Sequence, residues 1–217
     1  MPEGKFITFE GPEGGGKSTH IRLLADYLRE RGVDLVLTRE PGGTPTGEAI
    51  RGLLQHDGAG ESPTDRAELL LFLASRAQHV ERLIRPALSE GKWVLCDRFD
   101  DSTLAYQGYG RGLDLSLLQA MNSFATAGLK PDLTVLLDVS PETSRQRLLM
   151  RLAQTSGTPD RIEREPDAFH IRLRTGFLDL ARQHPDRFLV VNADREASRV
   201  AQDIREAISQ RLLIPCN

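Results

Sequence analysis

A glycine-rich segment near the start of the chain has the residue types that hold the phosphates of a nucleoside triphosphate. It runs Gly11-Pro12-Glu13-Gly14-Gly15-Gly16-Lys17-Ser18-Thr19 and fits the pattern G-x-x-x-x-G-K-[ST]. Glycines let the backbone curl so that successive N–H groups point at phosphate oxygens. Lys17 is expected to reach the β- and γ-phosphates, and the Ser18 hydroxyl is expected to hold Mg²⁺. By composition alone, a random chain of this length would contain the pattern about once in a hundred cases.

A second group of residues follows the next predicted strand. The segment Thr38-Arg39-Glu40-Pro41-Gly42-Gly43-Thr44 lies where ligands bind in open α/β sheets, beyond the carboxyl ends of the strands. An arginine at a strand end can bind a phosphate with its forked guanidinium, so Arg39 is a candidate phosphate ligand. A tight turn alone would account for the proline and the glycines.

A third group begins at the end of an apolar strand, Leu95-Cys96-Asp97-Arg98-Phe99. An aspartate in this place is typical of a Walker-B strand, so Asp97 is predicted to help hold Mg²⁺ and Arg98 to contact the transferring phosphoryl group. The alternative is a surface ion pair between the two side chains. Asp138, at the end of another apolar strand, is the alternative metal residue if Asp97 faces elsewhere.

The fourth group lies on one stripe of a helix predicted over 63–89, with Ser62 as its N-cap. Phe72, Arg76 and His79 share that stripe with leucines. A phenylalanine alone is most often a core residue, but an arginine one turn further on is difficult to bury without a partner. An aromatic ring beside a forked donor suits a flat base that offers carbonyl acceptors. His79 is interpreted as a packing or surface residue.

Arginines are concentrated in an arm of the chain: Arg145, Arg147, Arg151, Arg161 and Arg164. One interpretation is a solvated helix face paired with nearby acidic residues. The other is a mobile lid, over about residues 145–165, that closes arginines over the phosphates and excludes water. The flexible composition of 154–160 separates its two halves. Because the loop itself supplies only Lys17 as a positive charge, we expect Arg151 and Arg161 to add more in the transition state.

The elements that must position these groups alternate between strand and helix. A first strand over 5–10 precedes the glycine-rich loop, and further strands are predicted at 34–38, 93–97, 133–139 and 188–192. Helices are predicted at 17–31, 46–55, 63–89, 114–127, 141–153, 166–184 and 196–213. The alternation favours an α/β fold with a parallel sheet between helices. In the absence of a repeat or linker, residues 1–217 are predicted to form one domain.

Composition limits the classes of partner. The chain has 217 residues with a net charge of -3 and no long basic block, which argues against a nucleic-acid partner. The longest apolar run, about Leu69–Ala74, is too short to cross a membrane, and no signal peptide is expected. Cys96 and Cys216 are expected to be reduced, as in a cytoplasmic protein.

Several motifs together give the chain a family resemblance. They are Phe9-Glu10-Gly11 with the loop that follows, Arg39-Glu-Pro-Gly-Gly-Thr44, Asp97-Arg98, Ser102-x-x-x-Tyr106-Gln107-Gly108 and Asp160-Arg161-Ile162-Glu163. In this order and spacing the chain resembles the bacterial thymidylate kinases over nearly its whole length. The resemblance implies an enzyme that transfers the γ-phosphate of ATP to dTMP, giving dTDP for DNA synthesis. It also implies a three-layer P-loop kinase fold with a five-stranded parallel sheet and a helical lid, and a homodimer.

The resemblance also implies roles for single residues around the acceptor nucleotide. Glu13 resembles the loop carboxylate that accepts the sugar 3′-OH, and Tyr106 the ring that leaves no room for a ribose 2′-OH. By the same resemblance, Arg39 and Arg98 bind the dTMP phosphate, and Phe72 stacks on thymine. Arg76 is implied to donate to a thymine carbonyl, and Ser102 and Gln107 to contact the edge of the base.

On the ATP side, Arg147 resembles the arginine that packs on adenine, and the loop after Asn192 resembles the adenine rim. The chain departs from the family at Phe99, where tyrosine or histidine is more common. Its lid also looks longer and has no arginine between Arg151 and Arg161. The alternatives are a kinase for another nucleotide or nucleoside, and a nucleotide-driven switch or partition ATPase.

Overall fold

The computed structural model of the chain describes residues 4–55, 60–155, 159 and 161–212. Its five strands are β1 (Phe6–Glu10), β2 (Leu35–Arg39), β3 (Trp93–Asp97), β4 (Leu133–Asp138) and β5 (Phe188–Asn192). All neighbouring strands are parallel, in the order β2-β3-β1-β4-β5. The predicted α/β fold with a five-stranded parallel sheet is confirmed.

Helices connect these strands. They are α1 (Lys17–Arg29), α2 (Pro45–Gln55), α3 (Asp65–His79), α4 (Arg85–Ser89), α5 (Asp100–Thr103), α6 (Leu115–Thr126), α7 (Pro141–Thr155), α8 (Asp167–Gln183) and α9 (Ala197–Arg211). Two π-helical segments, Val80–Ile84 and Leu104–Gly110, continue α3 and α5. Of the stretch 154–160, residues 156–158 and 160 lie outside the described residues, as does Cys216.

The two faces of the sheet bury different helices. Ile7 and Phe9 of β1 belong to one apolar cluster with residues of α1 and α9. Phe6, which points to the other face because side chains alternate along a strand, packs with Val80 and Phe99. Helices therefore cover both faces, as the three-layer prediction requires.

The helix predicted over 63–89 has different details in the structure. It begins at Asp65, and its N-cap is Thr64 rather than Ser62, since the Thr64 side chain accepts a hydrogen bond from the Ala67 N–H at 3.5 Å. The helix widens to a π-segment at Val80–Ile84 and resumes as α4, in which Pro86 lies in the first turn. A proline cannot donate the helical hydrogen bond, and the wider turn accommodates it.

The sheet brings three strand ends together. Phe9 lies beside Asp97 in the β1–β3 register, and Arg39 lies beside Asp97 in the β2–β3 register. The strand order also reverses at β1, because later strands add on its other side. Ligands of open α/β sheets bind at such a switch point, beyond the carboxyl ends of the strands.

Candidate functional site

A cavity of about 890 Å³ opens at this edge of the sheet. Its lining contains most of the predicted site residues: Glu13, Gly14, Gly16, Lys17, Ser18, Thr19, Arg39, Phe72, Arg76, Asp97, Arg98, Ser102, Tyr106, Gln107, Arg147, Arg151 and Arg161. The described lining does not include Gly11, Pro12 or Gly15, but the carbonyl oxygens of Gly11 and Pro12 accept hydrogen bonds from Lys17. The volume is that of a small-molecule site.

Two residues of the glycine-rich loop have backbone angles and close backbone neighbours that only glycine permits. Gly11 and Gly14 have φ values of +128° and +72°. A Cβ atom on Gly11 would lie 2.5 Å from the Leu137 carbonyl oxygen, and one on Gly14 would lie 2.5 Å from that of Ser144. Gly16 precedes α1 without a capping side chain. The helix N-terminus is therefore open to an anion in the cavity.

Lys17 is folded against its own loop. Its Nζ donates to the carbonyl oxygens of Gly11 at 3.0 Å and Pro12 at 2.8 Å. Burial, with the charge of Arg98 nearby, lowers the pKa of Lys17 to about 8. The ammonium group is thus held beside the loop that would cradle a triphosphate.

Ser18 and Asp97, which are both predicted to hold Mg²⁺, are in direct contact. The Ser18 hydroxyl donates to Asp97 Oδ2 at 3.0 Å. A hydroxyl and a carboxylate are the hard oxygen donors that Mg²⁺ prefers, and Mg²⁺ usually completes its shell with water and substrate phosphates. The residues therefore fit this ion. Within the described ranges, no three His, Cys, Asp or Glu side chains cluster in a way that could hold a metal by themselves.

Asp138, the alternative metal residue, is engaged elsewhere. Both of its carboxylate oxygens accept from Arg174 of α8, at 2.6 and 2.9 Å. Asp138 is also absent from the described lining of the cavity, whereas Asp97 faces it. The structure therefore favours Asp97.

Glu13, Arg98 and Tyr106 form a hydrogen-bonded group in the cavity lining. Arg98 Nη2 donates to Glu13 Oε1 at 2.7 Å, and the Tyr106 hydroxyl lies 2.7 and 2.9 Å from the two Glu13 oxygens. Burial opposes ionisation of Glu13, but the charges of Arg98 and Lys17 prevail and lower its pKa. Burial raises the pKa of Tyr106, which therefore remains a neutral donor. This hydrogen-bonded group offers a fixed carboxylate to a ligand hydroxyl.

The buried carboxyl group of Glu10 fixes the backbone next to Arg98. Arg98 has a φ of +71°, which is unusual for a residue other than glycine. Glu10 Oε1 accepts the next backbone N–H, that of Phe99, at 2.8 Å, and Glu10 Oε2 accepts from Ser102 Oγ at 2.6 Å. Burial, with the charge of Asp101, raises the pKa of Glu10 to about 8. Glu10 thus fixes the turn that aims Arg98.

Arg76 is the most constrained arginine of the cavity, with only 2% of its surface exposed. Four of its five N–H groups donate to partners in the described chain: Glu40 Oε2 at 2.8 Å, Thr103 Oγ1 at 2.8 Å, Asn122 Oδ1 at 2.7 Å and the Phe99 carbonyl at 2.9 Å. One N–H on Nη2 is left for the cavity. Phe72 lies one helical turn earlier and also lines the cavity.

His79 belongs to the packing beneath this stripe and not to the surface. It is fully buried, and its Nδ1 and Nε2 lie 3.1 Å from Glu40 Oε1 and 2.7 Å from Thr38 Oγ1. Of the two alternatives for His79, packing is correct. The same Glu40 carboxylate receives Arg76, so His79 helps to hold the arginine in place.

Arg39 differs from Arg76 because it is half exposed. It donates to Glu48 Oε2 at 2.9 Å. Glu48 Oε1 also accepts the Gly43 N–H at 2.9 Å. A phosphate ligand of Arg39 would therefore compete with a carboxylate that the turn already holds.

The lid arginines are paired in this conformation. Arg147 Nη2 donates at 2.9 Å to the carbonyl of Ala193, the residue directly after Asn192. Its packing on adenine stays a prediction. Arg151 pairs with Glu163, and Arg161 pairs with Glu68. Asp160 of the predicted motif lies outside the described residues.

Sequence reasoning missed several residues that build the site. Two are further cations in the cavity lining, Arg22 and Arg51, so the lid is not the sole source of positive charge besides the loop and Arg98. The others are buried partners of site residues: Glu10, Glu40, Glu68, Thr103 and Asn122. Glu68 had a usable signal, since it precedes Phe72 by one turn on the same stripe.

No helix in the described part of the chain combines the length and the apolar character that crossing a membrane requires.

Comparisons with known proteins agree on one family. The family model described as thymidylate kinase matches residues 9–204. A thymidylate kinase from Gloeobacter violaceus is 51% identical over 203 residues, which cover 94% of this chain and 93% of that protein. One from Trichlorobacter lovleyi is 49% identical over 211 residues, covering 97% and 99%. The crystal structure of thymidylate kinase from Ehrlichia chaffeensis has a TM-score of 0.76 at 37% identity, covering 95% of this chain and 100% of that chain.

Proposed function

Because the chain belongs to the thymidylate kinase family, a family of phosphotransferases, we propose that its cavity transfers the γ-phosphoryl group of ATP to dTMP, giving dTDP and ADP. The observation that carries the proposal is that the phosphate loop and the Phe72–Arg76 stripe line one cavity with Arg98. Arg98 Nη1 donates hydrogen bonds to the Gly11 carbonyl of the phosphate loop at 3.0 Å and to Ser102 Oγ at 3.3 Å.

The proposed donor side of the cavity holds ATP. The loop N–H groups and the open N-terminus of α1 bind the phosphates, while Lys17 turns from its loop carbonyls to the β- and γ-phosphates. Ser18 and Asp97 would hold Mg²⁺, which would supply positive charge to the phosphates of ATP. Arg147 packs on adenine beside the Ala193 carbonyl, with which it is already bonded.

The proposed acceptor side holds dTMP. Phe72 stacks on thymine, and the remaining N–H of Arg76 donates to a base carbonyl. Ser102 and Gln107 contact the base edge. The Glu13 carboxylate accepts the sugar 3′-OH, Tyr106 occupies the space of a ribose 2′-OH, and Arg39 and Arg98 hold the phosphate.

Transfer then needs positioning and charge stabilisation more than covalent chemistry. The dTMP phosphate is already ionised, so its oxygen attacks without a general base. Negative charge spreads over the equatorial oxygens of the transferring group, where Lys17, Arg98 and the lid arginines stabilise it. Closure of the lid, over about 145–165, excludes water that would otherwise accept the phosphoryl group.

The proposal extends to assembly and location. We propose a homodimer because large apolar side chains are exposed on α6 and α3: Phe124 at 88%, Leu117 at 55% and Leu70 at 57%. Where such side chains form a contiguous patch, they mark a protein–protein contact surface. Phe124→Asp should shift the mass measured by light scattering from dimer to monomer. We also propose one kinase domain and a cytoplasmic location, since ATP and dTMP are metabolites of the cytoplasm.

A coupled assay of ADP release tests the function. With ATP and Mg²⁺, wild-type enzyme should release ADP rapidly with dTMP and more slowly with dCMP or dGMP. Without an acceptor, release should fall to a small fraction. An equal rate without dTMP would identify an ATPase, and preference for another acceptor would identify a different nucleotide kinase.

A further inference from the structure

Glu68 is a fully buried carboxylate at the start of α3, with 0% of its surface exposed. It lies one helical turn before Phe72 and two turns before Arg76. Its Oε1 accepts from Gln107 Nε2 at 2.7 Å and Arg111 Nε at 3.2 Å, and its Oε2 accepts from Arg111 Nη2 at 3.3 Å and from Arg161. Two guanidinium groups and one amide therefore meet on one carboxylate.

This surrounding keeps Glu68 ionised. Burial opposes the charge, but the hydrogen bonds from Arg111 and Gln107 prevail and lower the pKa of Glu68. An ionised carboxylate is only an acceptor, so Gln107 must turn its NH₂ group, and never its carbonyl oxygen, toward Glu68. Because the amide is planar, the Gln107 carbonyl oxygen then points away from Glu68. Gln107 itself is 2% exposed and lines the cavity, so its Oε1 is fixed as an acceptor there.

The position of Gln107 complements that of Arg76. Glu68 and Arg76 lie one turn on either side of Phe72, so a base on the Phe72 ring lies between the amide held by Glu68 and the guanidinium. Arg76 offers a donor, and Gln107 offers an acceptor. Thymine and uracil match this pair with a carbonyl oxygen and N3–H. Cytosine opposes it, because its amino group meets the donor and its N3 lone pair meets the acceptor.

We propose that Glu68 is a positioning residue that sets the pyrimidine selectivity of the cavity by locking the amide of Gln107 with its carbonyl toward the base. The inference rests on the proposed function and adds a determinant that does not touch the substrate. It assigns discrimination against cytosine to the Glu68–Gln107 pair and discrimination between thymine and uracil to other contacts.

The test is the selectivity of Glu68→Gln. A glutamine at this position has both a donor and an acceptor, so Gln107 can rotate by half a turn and offer its NH₂ group to cytosine N3. The ratio of kcat/KM for dTMP to kcat/KM for dCMP should fall by about tenfold, because a mismatched polar contact is removed. The ratio for dTMP to dUMP should stay constant, since both bases present the same edge. Glu165→Gln is the matched control: it removes an Arg111 partner, at 2.6 Å, without touching Gln107.

A double variant separates positioning from general damage. In a Gln107→Ala background, Glu68→Gln should change the dTMP/dCMP ratio no further. The inference would be overturned if Glu68→Gln lowered kcat/KM equally for dTMP and dCMP. It would also be overturned if Glu68→Gln lowered the dTMP/dCMP ratio further in the Gln107→Ala background. If Glu68→Gln does not fold, Gln107→Ala alone decides, because an unchanged ratio would show that Gln107 does not read the base. Failure of wild-type enzyme to turn over dTMP would instead refute the proposed function.

Discussion

The Tyr106 hydroxyl lies 2.7 and 2.9 Å from the two carboxylate oxygens of Glu13, and this contact separates two roles of the tyrosine. The hydroxyl orients Glu13, while the role proposed for the ring is to fill space beside the sugar. The Arg98 guanidinium also lies over the ring, 4.9 Å from its centre. The hydroxyl can be removed while the ring is kept, whereas removal of the ring removes both roles.

Substitution of Tyr106 should therefore change sugar selectivity in one variant only. Tyr106→Ala opens the space that the ring occupies, so activity on ribosyl-TMP relative to dTMP should rise. Tyr106→Phe keeps the ring and loses only the Glu13 contact, so its ratio should remain that of the wild type. The measurement is kcat/KM for both nucleotides. An unchanged ratio in Tyr106→Ala would show that the ring does not exclude the ribose.

The two arginines predicted to bind dTMP should differ in their effect on stability. Arg76→Ala leaves the buried Glu40 carboxylate with His79 but without its arginine. It should therefore lower the free energy of unfolding by about 3–5 kcal/mol. Arg39→Ala breaks a pair that is half exposed on both sides, so its effect on stability should be below about 1 kcal/mol. Urea denaturation measures both.

The same pair of variants separates binding from folding. Arg39→Ala should raise KM for dTMP while the protein stays as stable as the wild type. Stability losses of the same size in the two variants would mean that the Arg76 network contributes no more than a surface pair.

The buried Glu10 carboxyl predicts a particular pH dependence of stability. Its folded-state pKa of about 8 lies above its ordinary value of 4.5. Between these values the folded chain binds more protons at this site than the unfolded chain, so the site loses stability as the pH rises. Below pH 4.5 the Glu10 carboxyl is protonated in both the folded and the unfolded chain, so its contribution to the free energy of unfolding is then fully present.

Glu10→Gln imitates the protonated form and should remove this dependence. The wild type should lose about 1 kcal/mol or more relative to Glu10→Gln between pH 5 and pH 8. Urea denaturation of the two proteins across this range gives the difference. Parallel stability curves would mean that Glu10 keeps an ordinary pKa in the folded protein.

The strands and the phosphate loop could be predicted because their signals are local. The strands at 93–97 and 188–192 have the predicted bounds, since each is a short apolar run. The helical segment Asp100–Gly110 was not predicted, because its glycines weaken a helix in isolation and its stability comes from packing, with Ala105 fully buried.

The buried polar partners could not be predicted for a related reason. Glu68 is 39 residues from Gln107, and Asn122 is 46 residues from Arg76. The helical stripe places Glu68 one turn before Phe72, but the local sequence does not show that its carboxylate receives distant guanidinium groups rather than facing water. The predicted ligand-binding residues lie in recognisable sequence motifs. Their buried partners are brought to them from distant parts of the chain by folding, so the sequence motifs do not identify them.

The paired state of the lid makes a prediction about turnover. Arg151 is bonded to Glu163, and Arg161 to Glu68, so each must exchange a carboxylate for phosphate oxygens if it acts in transfer. Such contacts form mainly in the transition state. Arg151→Ala or Arg161→Ala should then lower kcat by about tenfold or more and leave dTMP binding nearly intact.

Arg145→Ala is the matched control for this experiment. Arg145 lies on the same helix α7, but it pairs at the surface with Asp167 at 3.2 Å and is absent from the described cavity lining. Its loss should leave kcat within about twofold of the wild type, as expected for an exposed pair. The informative comparison is single-turnover kinetics of the three variants with bound ATP and dTMP. If the Arg151→Ala/Arg161→Ala double variant turns over like Arg145→Ala, the lid only covers the site, and Arg98, Arg22 and Arg51 must stabilise the transferring group with Lys17.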